Sequence, residues 1–435
     1  MRFMKDSGIE WIKEIPDCWD VRRIKTLPDQ SVNNSFIDGD WIESPDIADD
    51  GIRYLTTGNV GDGSFKDQGN SYITNETFER LNCKYAYPND FVISRLNAPY
   101  GRSCILPDAF PEYVLAVDIV ILRTNADKKY LCYVTQCSGY QHSVEDQAKG
   151  TTMKRISRTN LGNIIVPFPP LDEQRKISFI LDRQCAIVDN IIEKNKASIE
   201  EYKKLKQAII TQAVTKGVRG DRPMKDSGIE WIGEIPKEWE VTRIKNIFSL
   251  RNERNTLPLE EVNLISLYTD KGVLQHSDIE KTTGNKASNA DGYKLVYEND
   301  IVVNIILCWM GAIGRSAYNG VTSPAYDIYV PSDKIECEYY HHYFRTSGFS
   351  GDCFKRGRGI MLMRWRTYSD QFRDIRVPCP PIEEQREILA YLNLKNAEID
   401  YLIAQKEQFL AELEKYEKSM IYEYITGKKE VDYGS

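Results

Sequence analysis

The sequence predicts an α+β fold with an internal pseudo-two-fold repeat, in which two mixed, strand-rich domains are separated by two long antiparallel helices that form a coiled coil. The repeat is the main reason for this prediction. Residues 4–25 and 224–245 match at 17 of 22 positions, which chance does not produce. A second similar pair, 167–177 and 378–388, precedes two long stretches of helical periodicity. We therefore expect one scaffold that has been duplicated.

The composition is that of a globular protein without a membrane-spanning segment. Of its 435 residues, 41% are hydrophobic and 28% are charged. The longest apolar run, residues 301–314, is too short to cross a bilayer, and no secretory leader opens the sequence. The ten cysteines form no C-x-x-C pair, which argues against a zinc site or a disulfide framework. We expect a cytoplasmic protein with reduced thiols and no bound metal.

Between the repeated segments lie two variable stretches, residues 28–165 and 248–376, that are much less alike. Both contain β-branched and aromatic runs broken by Gly, Asn and Asp, which favours strands joined by loops. Both also contain Tyr-x-Asn-Asp followed by Gly-Arg-Ser. The predicted order is a first domain at 1–170, a central spacer helix at 171–216, a second domain at 217–381, a C-terminal spacer helix at 382–427 and a tail at 428–435.

Each spacer is preceded by two prolines, opens on acidic residues and then lacks Gly and Pro until Gly217 or Gly427. Prolines and acids suit a helix N-terminus, where N–H groups are unpaired and negative charge is favourable. A seven-residue repeat fits both helices and predicts a two-helix coiled coil. The seam positions are Leu181, Gln184, Val188, Ile191, Asn195, Ser198, Tyr202, Leu205 and Ile209, and Leu392, Lys395, Ile399, Leu402, Lys406, Phe409, Leu413, Tyr416 and Met420.

Asn195 and Lys406 interrupt the two seams at the same position of the repeat. Two interpretations stay open: a polar residue that fixes register and pairing, or an exposed turn of an ordinary amphipathic helix. The first helix leads directly into the second copy of the opening segment. The second helix must therefore return antiparallel, which would place the two strand-rich domains at opposite ends of a rod.

A basic segment stands out because the net charge of the chain is −7. Residues 355–376 contain seven Lys or Arg residues against two Asp residues. Phosphate neutralisation depends on charge at the interface rather than on the total charge. This segment therefore indicates contact with nucleic acid.

The repeated motifs resemble the specificity subunits of type I restriction–modification enzymes. The resemblance rests on Ser-Gly-Ile-Glu-Trp-Ile-x-Glu-Ile-Pro, on Pro-Pro-[Leu/Ile]-[Asp/Glu]-Glu-Gln-Arg and on Gly-Thr-Thr-Met-Lys-Arg-Ile at 150–156. It covers essentially the whole chain. It implies a non-catalytic subunit with two target-recognition domains, each of which reads one half of an asymmetric bipartite target on double-stranded DNA.

The resemblance also implies partners and cofactors. Two methyltransferase subunits would dock on the chain, and restriction subunits would join them as a DNA translocase and nuclease. S-adenosylmethionine, ATP and magnesium would belong to those partners, and the chain itself would hold no cofactor. The second half departs from the pattern at 358–364, where Arg-Gly-Ile-Met-Leu-Met-Arg offers no match for Lys154.

Three motifs are similar to catalytic sites. Residues 97–100, Asn-Ala-Pro-Tyr, are similar to the Asn-Pro-Pro-Tyr of adenine methyltransferases, but no suitably placed glycine-rich cofactor loop accompanies them. Residues 58–63 lack the Lys-Ser/Thr of a phosphate loop and favour a hairpin. Asp90 and Asp300 are interpreted as turns before strands. The alternatives to a DNA-binding adaptor are a self-sufficient methyltransferase or nuclease, and a coiled-coil scaffold that binds only proteins.

The candidate DNA contacts are polar and aromatic side chains of the variable stretches, because Arg, Asn and Lys supply base-edge and phosphate contacts. They are Arg95, Asn97, Tyr100, Arg102, Lys154, Arg155 and Arg158 in the first stretch, and Trp309, Arg315, Lys355, Arg356, Arg358 and Arg364 in the second. Four tryptophans recur in the opening segments. They are interpreted either as a docking surface for partner subunits or as packing against the helix base: Trp11, Trp19, Trp231 and Trp239.

Overall fold

The computed structural model describes residues 2–150, 153–278, 289–359 and 365–431. The chain divides into two compact units, the first comprising Met1–Asn195 with Gln408–Ser435 and the second Lys196–Glu407. The boundary falls inside both long helices, so each helix contributes one part to each unit. Mixed strands and helices recur in both units, and the predicted α+β class is confirmed.

The first unit contains short strands and helices followed by the first long helix. Its strands are β1 (Met4–Asp6), β2 (Glu14–Pro16), β3 (Asp20–Arg23), β4 (Phe36–Asp38), β5 (Ile52–Leu55), β6 (Tyr72–Ile73), β7 (Tyr85–Ala86), β8 (Phe91–Ser94), β9 (Ser103–Ile105), β10 (Tyr113–Leu115), β11 (Ile119–Leu122) and β12 (Ile165–Phe168). Its helices are α1 (Asn75–Arg80), α2 (Lys128–Gln136), α3 (Ser138–Asp146), α4 (Arg158–Asn163) and α5 (Leu171–Lys216), of which α5 continues into the second unit.

Two four-stranded sheets form the centre of the first unit, in the orders β6-β5-β10-β7 and β4-β11-β8-β9. Strands β8 and β11 are buried on both faces, because alternate side chains of a strand point to opposite sides. Phe91 and Ile93 enter one hydrophobic cluster together with α2 and α3, whereas Val92 enters a second cluster. Continuous apolar runs such as Ile119–Leu122 are explained by this two-sided burial.

The second unit repeats this plan with different sequences. Its strands are β13 (Met224–Asp226), β14 (Glu234–Pro236), β15 (Glu240–Arg243), β16 (Phe248–Leu250), β17 (Ile265–Tyr268), β18 (Gly272–Gln275), β19 (Lys294–Val296), β20 (Ile301–Asn304), β21 (Ile313–Arg315), β22 (Gly320–Thr322), β23 (Tyr326–Pro331) and β24 (Arg376–Cys379). Its helices are α6 (Ile244–Ile247), α7 (Cys337–Phe344), α8 (Ser347–Arg356), α9 (Ser369–Arg373) and α10 (Ile382–Ile425), of which α10 continues into the first unit. The order β16-β23-β20-β21 forms its four-stranded sheet.

Each variable stretch begins and ends at one antiparallel strand pair. Strand β3 pairs with β12 in the first unit, and β15 pairs with β24 in the second. Just beyond these pairs, the N–H of Ile24 donates to the carbonyl of Ile164 at 3.0 Å, and that of Ile244 donates to Ile375 at 3.1 Å. Both ends of a variable stretch therefore meet on the repeated scaffold, whatever the sequence between them.

The long helices occupy nearly the predicted spans. Helix α5 ends at Lys216, before Gly217 with φ 78°, and α10 ends at Ile425, two residues before Gly427 with φ 69°. Glycine adopts these left-handed conformations more readily than any other residue, which is why each helix stops there.

Within each unit, the two helical segments lie side by side in antiparallel directions. In the first unit, Leu181 of α5 and Met420 of α10 enter the same cluster. In the second unit, Lys206 of α5 forms an ion pair with Asp400 of α10 at 2.7 Å. The predicted pairing of long helices is thus seen inside each unit.

The seam prediction was wrong at four positions, whereas the other predicted seam residues are buried or half-buried. Leu205, Leu402, Phe409 and Tyr416 are exposed, whereas residues one position after predicted seam members are buried or half-buried: Cys185, Ile199, Lys206, Ile403, Leu410 and Glu417. Successive seam residues of a heptad can be three and then four residues apart, or four and then three. Both patterns have an average period of 3.5 residues, so the period alone does not determine which residue is the second seam member of each heptad. At these positions, the residue that follows the predicted seam member in the sequence is the less exposed of the two.

The two polar seam residues are both half-buried. The Nδ2 of Asn195 donates to the carbonyl of Ile191 on its own helix at 2.9 Å. The ammonium group of Lys406 lies 5.9 Å from the ring centroid of Tyr202 in a cation–π contact. Lys406 therefore takes part in pairing within the second unit, and neither residue lies on a fully exposed turn.

Each long helix is fixed to its unit by the glutamine of the Glu-Gln-Arg motif. Gln174 is fully buried, accepts from the N–H of Asp127 at 2.9 Å and donates to the carbonyl of Pro169 at 2.8 Å. Gln385 is equally buried and makes the same two bonds, with Glu336 and Pro380, both at 2.8 Å. We call this arrangement the helix clamp. It explains why the motif occurs in both halves.

The neighbouring glutamate ties the opening segment to the same helix. Glu173 pairs with Arg2 at 2.6 Å and accepts from the indole N–H of Trp19 at 2.9 Å. Glu384 pairs with Arg222, which lies 5.7 Å from the ring of Trp239, as Arg2 lies 5.5 Å from the ring of Trp19. The sequence analysis missed Arg2 and Arg222, although their spacing of 220 residues equals that of the repeat.

The recurring tryptophans are packing residues. Trp19 and Trp239 are fully buried, as the packing interpretation expects. Trp11 and Trp231 are half-buried against Gly139 and Gly348, where a Cβ would lie 2.3 and 2.1 Å from their rings. These contacts show how Trp11 and Trp231 pack within their units, and a docking role for the recurring tryptophans stays a prediction.

Candidate nucleic-acid interface

In the first unit, two segments that are distant in sequence lie side by side. Residues 96–100 form a turn after β8, and residues 149–150 and 153–155 follow α3. The N–H of Ile156 donates to the carbonyl of Arg95 at 3.1 Å, and Arg155 forms isolated β-bridges with Leu96 and Lys149. We call residues 96–100, 149–150 and 153–155 the first two-loop surface; residues 151 and 152 lie outside the described residues.

The second unit has the same arrangement at the equivalent place. The turn at 305–311 follows β20, and the N–H of Thr367 donates to the carbonyl of Ile305 at 2.9 Å. Arg358 and Arg366 exchange backbone hydrogen bonds at 2.8 and 2.9 Å. We call residues 305–311 with 357–359 and 365–366 the second two-loop surface. The predicted contact Arg364 lies outside the described residues.

Arg95 is enclosed and serves as a brace under the first two-loop surface. Its side chain is about 5% exposed and pairs with Asp38 at 3.1 Å. It also donates to the carbonyls of Val117 and Ile156 at 2.5 and 3.3 Å. Burial lowers the pKa of the Arg95 guanidinium, although Asp38 opposes this shift. Arg95 cannot reach a base without losing these partners, so we leave it out of the proposed contacts.

Arg155 and Arg158 lie at the outer side of the same charge cluster and are more exposed. Arg155 pairs with Asp118 at 2.5 Å, and Arg158 pairs with Asp38 at 3.5 Å. Together with Arg95, three guanidinium groups meet two carboxylates. The cluster therefore has an excess of positive charge, which would favour an approaching phosphate.

Arg102 organises the turn from within. Its guanidinium donates to the carbonyls of Val60 and Thr57 at 2.6 and 2.8 Å, and to that of Asn97 at 3.2 Å. Desolvation lowers the pKa of Arg102. These bonds occupy its donors, so we interpret Arg102 as a positioning residue and leave it out of the proposed contacts.

Besides Arg155, three predicted contacts of the first unit lie on its two-loop surface. Asn97 is exposed and has a φ of 62°, a left-handed conformation that asparagine tolerates. Lys154 is exposed and pairs with Glu145 at 3.1 Å, which raises the pKa of Lys154. Tyr100 is half-buried and packs against the hydrophobic core. Asn97 and Lys154 are therefore available, whereas the ring of Tyr100 is partly committed to packing.

In the second unit, Trp309 packs into a row of aromatic rings. Its centroid lies 5.5 Å from that of Phe354, which stacks at 5.1 Å on Trp365. Trp365 also donates its indole N–H to the carbonyl of Phe354 at 3.1 Å. The three rings connect the turn, helix α8 and residues 365–366. Trp309 is therefore partly exposed and also has a structural role.

Three cations at the start of the basic segment of the second unit are exposed. Lys355 pairs with Glu230 at 2.7 Å, and Arg358 pairs with Asp370 at 3.4 Å. The contact from Arg356 to Asp374 is longer, at 3.8 Å. Exposed ion pairs of this kind contribute little free energy, so these cations can exchange a carboxylate for a phosphate.

Asp374 collects further cations that the sequence analysis missed. Lys245 pairs with it at 3.0 Å, and Arg243 also contacts it. With Arg356, three cations therefore share one carboxylate. Arg243 and Lys245 lie before the variable stretch in the sequence. The basic segment at 355–376 therefore did not indicate that they belong to the group of cations around Asp374.

Arg315 and Arg345 divide the role that Arg102 has in the first unit. Arg315 donates to the side chain of Asn299 at 2.8 Å. Arg345 contacts the end of the second turn instead, donating to the carbonyl of Gly311 at 3.5 Å and to those of Ile313 and Thr269 at 3.0 and 2.9 Å. Arg345 follows α7 and has no sequence match to Arg102, so the sequence analysis did not identify it.

The Tyr-x-Asn-Asp motifs are structural turns. Asp90 accepts from the N–H of Tyr87 at 3.0 Å and pairs with Arg123 at 2.9 Å. Asp300 likewise accepts from Tyr297 at 2.8 Å and pairs with Arg251 at 2.9 Å. These carboxylates are occupied by backbone and arginine, which confirms the turn interpretation. Among the described residues, no cluster of three or more His, Cys, Asp or Glu side chains is placed to hold a metal ion.

None of the helices in the described ranges has both the length and the apolar character that a bilayer crossing requires.

Comparison with known proteins gives a consistent result. A family model described as the type I restriction modification DNA specificity domain matches residues 16–201 and 236–415. The putative type I restriction enzyme MjaX specificity subunit of Methanocaldococcus jannaschii is 25% identical over 98% of each chain. The type I restriction enzyme EcoBI specificity subunit of Escherichia coli is 22% identical over 79% of this chain and 74% of that protein.

Solved structures show the same fold. A chain from a study of complex assembly and conformational transition of the type I R-M system has a TM-score of 0.68 at 14% identity, over 95% of this chain and 99% of that one. The HsdS subunit from Thermoanaerobacter tengcongensis has a TM-score of 0.52 at 14% identity, over 95% and 98% of the two chains.

Proposed function

The chain belongs to the type I restriction modification DNA specificity family, and from this premise we propose that each two-loop surface reads one half of a bipartite DNA target. The chain is a non-catalytic recognition subunit. The observation that carries the proposal is the recurrence of one arrangement in both units: a turn after a central strand, joined by a backbone hydrogen bond to a cation-bearing loop. The scaffold around it is repeated, while the sequences of the surfaces differ.

The proposed contacts are exposed or half-buried side chains of these surfaces, of the adjoining basic segment and, for Arg158 and Arg315, of neighbouring positions. Cations would neutralise phosphates and set the register on the duplex, whereas side chains of the turns would reach base edges. The residues are Asn97, Tyr100, Lys154, Arg155 and Arg158 in the first unit, and Trp309, Arg315, Lys355, Arg356 and Arg358 in the second.

We further propose that the chain works in a multisubunit complex in the cytoplasm. Two methyltransferase subunits and restriction subunits would dock on it. S-adenosylmethionine, ATP and magnesium would be bound by those partners. The basis is the family membership and the type I assembly to which one structural relative belongs.

The proposal is tested by selecting bound sequences from random double-stranded DNA with the complex reconstituted from the chain and methyltransferase subunits. We expect two short conserved half-sites separated by a gap of unspecified sequence. A selected pool with a single conserved half-site, or with none, would contradict the proposal.

The purified chain alone is expected to transfer no methyl group. Asn97 of the Asn-Ala-Pro-Tyr turn is exposed, but Tyr100 packs against the core and is not presented as a platform for a flipped base. Incorporation of labelled methyl groups from S-adenosylmethionine into DNA measures this. Addition of the methyltransferase subunits is the positive control, and incorporation without them would show that the chain is itself an enzyme.

Replacing Arg356 and Arg358 with Ala is expected to weaken binding to all sequences alike. The slope of log affinity against log salt should become shallower by about 0.9 for each phosphate contact that is lost. The measurement is a salt titration of DNA binding by the assembled complex. A Lys203→Ala/Lys395→Ala variant removes the same charge from the long helices, where both lysines form ion pairs within their own helix, and should leave the slope unchanged. Equal slopes for all three proteins would assign Arg356 and Arg358 to protein packing.

A further inference from the structure

The second two-loop surface carries an exposed apolar patch. Leu307 and Met310 flank the half-buried Trp309 in the turn, and they are 37% and 52% exposed. Phe354, whose ring contacts Trp309, is 39% exposed on helix α8. Single exposed apolar residues are ordinary on protein surfaces, but neighbouring ones on a rigid turn point to a contact surface.

The turn that presents this patch is held firmly. Asn304 accepts from the N–H of Ile306 at 2.9 Å, and the N–H of Met310 donates to the carbonyl of Leu307 at 2.9 Å. Cys308 is fully buried beneath the turn, and Gly311 closes it with a φ of 87°. Leu307 and Met310 are therefore kept outside by the backbone, although the core is one residue away.

Cations lie near the patch in the sequence. Lys355 and Arg356 directly follow Phe354, and Arg358 lies in the adjoining loop end. Their ion pairs are exposed, at 2.7, 3.8 and 3.4 Å. An apolar patch beside cations fits the major groove, where phosphates flank base edges and only thymine, among the four bases, presents a methyl group.

The first two-loop surface has different chemistry. Its turn exposes the amide of Asn97 beside Ala98 and Pro99, and Tyr100 turns towards the core. An amide is suited to the paired donor and acceptor of adenine, whereas a thioether and a leucine side chain are suited to a methyl group. The two turns occupy equivalent places in their units. The difference between an exposed amide and exposed apolar side chains therefore bears on which base each turn recognises.

We propose that Leu307 and Met310 contact the C5 methyl group of thymine in the half-site read by the second unit. Phosphate contacts from the cations of α8 would hold the base edge against the patch. The inference rests on the proposed function and specifies its chemistry: this half of the target contains at least one thymine that is recognised by its methyl group.

The test replaces thymines with deoxyuridine, which pairs identically but lacks the methyl group. The DNA is the target selected by the reconstituted complex, and each thymine is replaced singly in both half-sites. The half-site of the second unit is assigned as the one that persists when residues 28–164 are exchanged. We expect at least one replacement there to weaken binding about fourfold, the effect of losing one buried methyl group.

Protein variants then connect the effect to the patch. Leu307→Ala/Met310→Ala should bind the thymine target about as weakly as the natural protein binds the deoxyuridine target, and should no longer distinguish the two. Leu257→Ala is the matched control, because Leu257 is 50% exposed in the same unit but lies outside the patch. It should retain the full thymine preference. The deoxyuridine experiment uses the natural protein. Its result therefore does not depend on whether a variant folds.

The outcomes separate the inference from the proposed function. A specific target whose second half lacks thymine, or whose thymines can all be replaced without loss, overturns the methyl contact and leaves the proposed function standing. Discrimination that survives in the double variant also overturns it. A complex that selects no sequence at all overturns both.

Discussion

Exchanging residues 28–164 for the equivalent segment of another specificity subunit is expected to change one half of the DNA target and to leave the other half intact. Affinity for the original target should fall more than about a hundredfold, because several base pairs become mismatched at ~1–3 kcal/mol each. Selection of bound sequences by the reconstituted complex measures both results.

The physical reason lies at the junctions of the exchanged segment. The scaffold strands β3 and β12 pair with each other, and the hydrogen bond from Ile24 to Ile164 brings both ends of the segment together. A foreign segment that meets the same two points must also place a backbone N–H where Asp127 donates to Gln174 of the helix clamp, and any residue except proline can supply that group. The sheets that it replaces have their own core, which includes Val92 and Ile121.

The reciprocal exchange of residues 248–375 is the matched control, because β15 and β24 form the equivalent pair in the second unit. It should change the other half of the target. If either exchange alters both half-sites, the two units do not read DNA independently. If neither exchange alters the target, specificity does not reside in the variable stretches.

The sequence predicted well those features that depend on repetition and on local chemistry. The ends of α5 and α10 followed from prolines, acids and glycines, which act through the backbone within a few residues. The turns at Asp90 and Asp300 followed from the same kind of local signal. The match of Arg2 to Arg222 was equally visible in the repeat but lay two residues before the segment that we compared.

Features that depend on tertiary packing could not be predicted in this way. A heptad pattern gives a period, but only the neighbouring helix determines whether Gln184 or Cys185 is buried. The sequence also does not reveal which arginines are enclosed. Arg95 and Arg155 both occur in candidate segments, yet the first is a buried brace and the second lies near the surface, because Asp38 and Asp118 come from other strands and loops.

The second large effect concerns the helix clamp. Gln385→Ala is expected to destabilise the second unit by about 2–4 kcal/mol, because it leaves the N–H of Glu336 and the carbonyl of Pro380 without partners in a buried site. The midpoint of urea unfolding should fall accordingly. Amide hydrogen exchange should accelerate at Glu336, where the lost bond protected the start of α7.

Gln405→Ala provides the matched control on the same helix. Gln405 is exposed and bonds only to the hydroxyl group of Tyr401, at 2.7 Å, among its described hydrogen bonds. Its removal should change stability by less than about 0.5 kcal/mol, as is usual for surface positions. The helix clamp also joins α10 to the start of α7 in the unit that carries the second two-loop surface. Gln385→Ala should therefore weaken DNA binding near its unfolding midpoint while Gln405→Ala still binds normally. Equal midpoints for the two variants would show that the buried glutamine does not hold the helix in place.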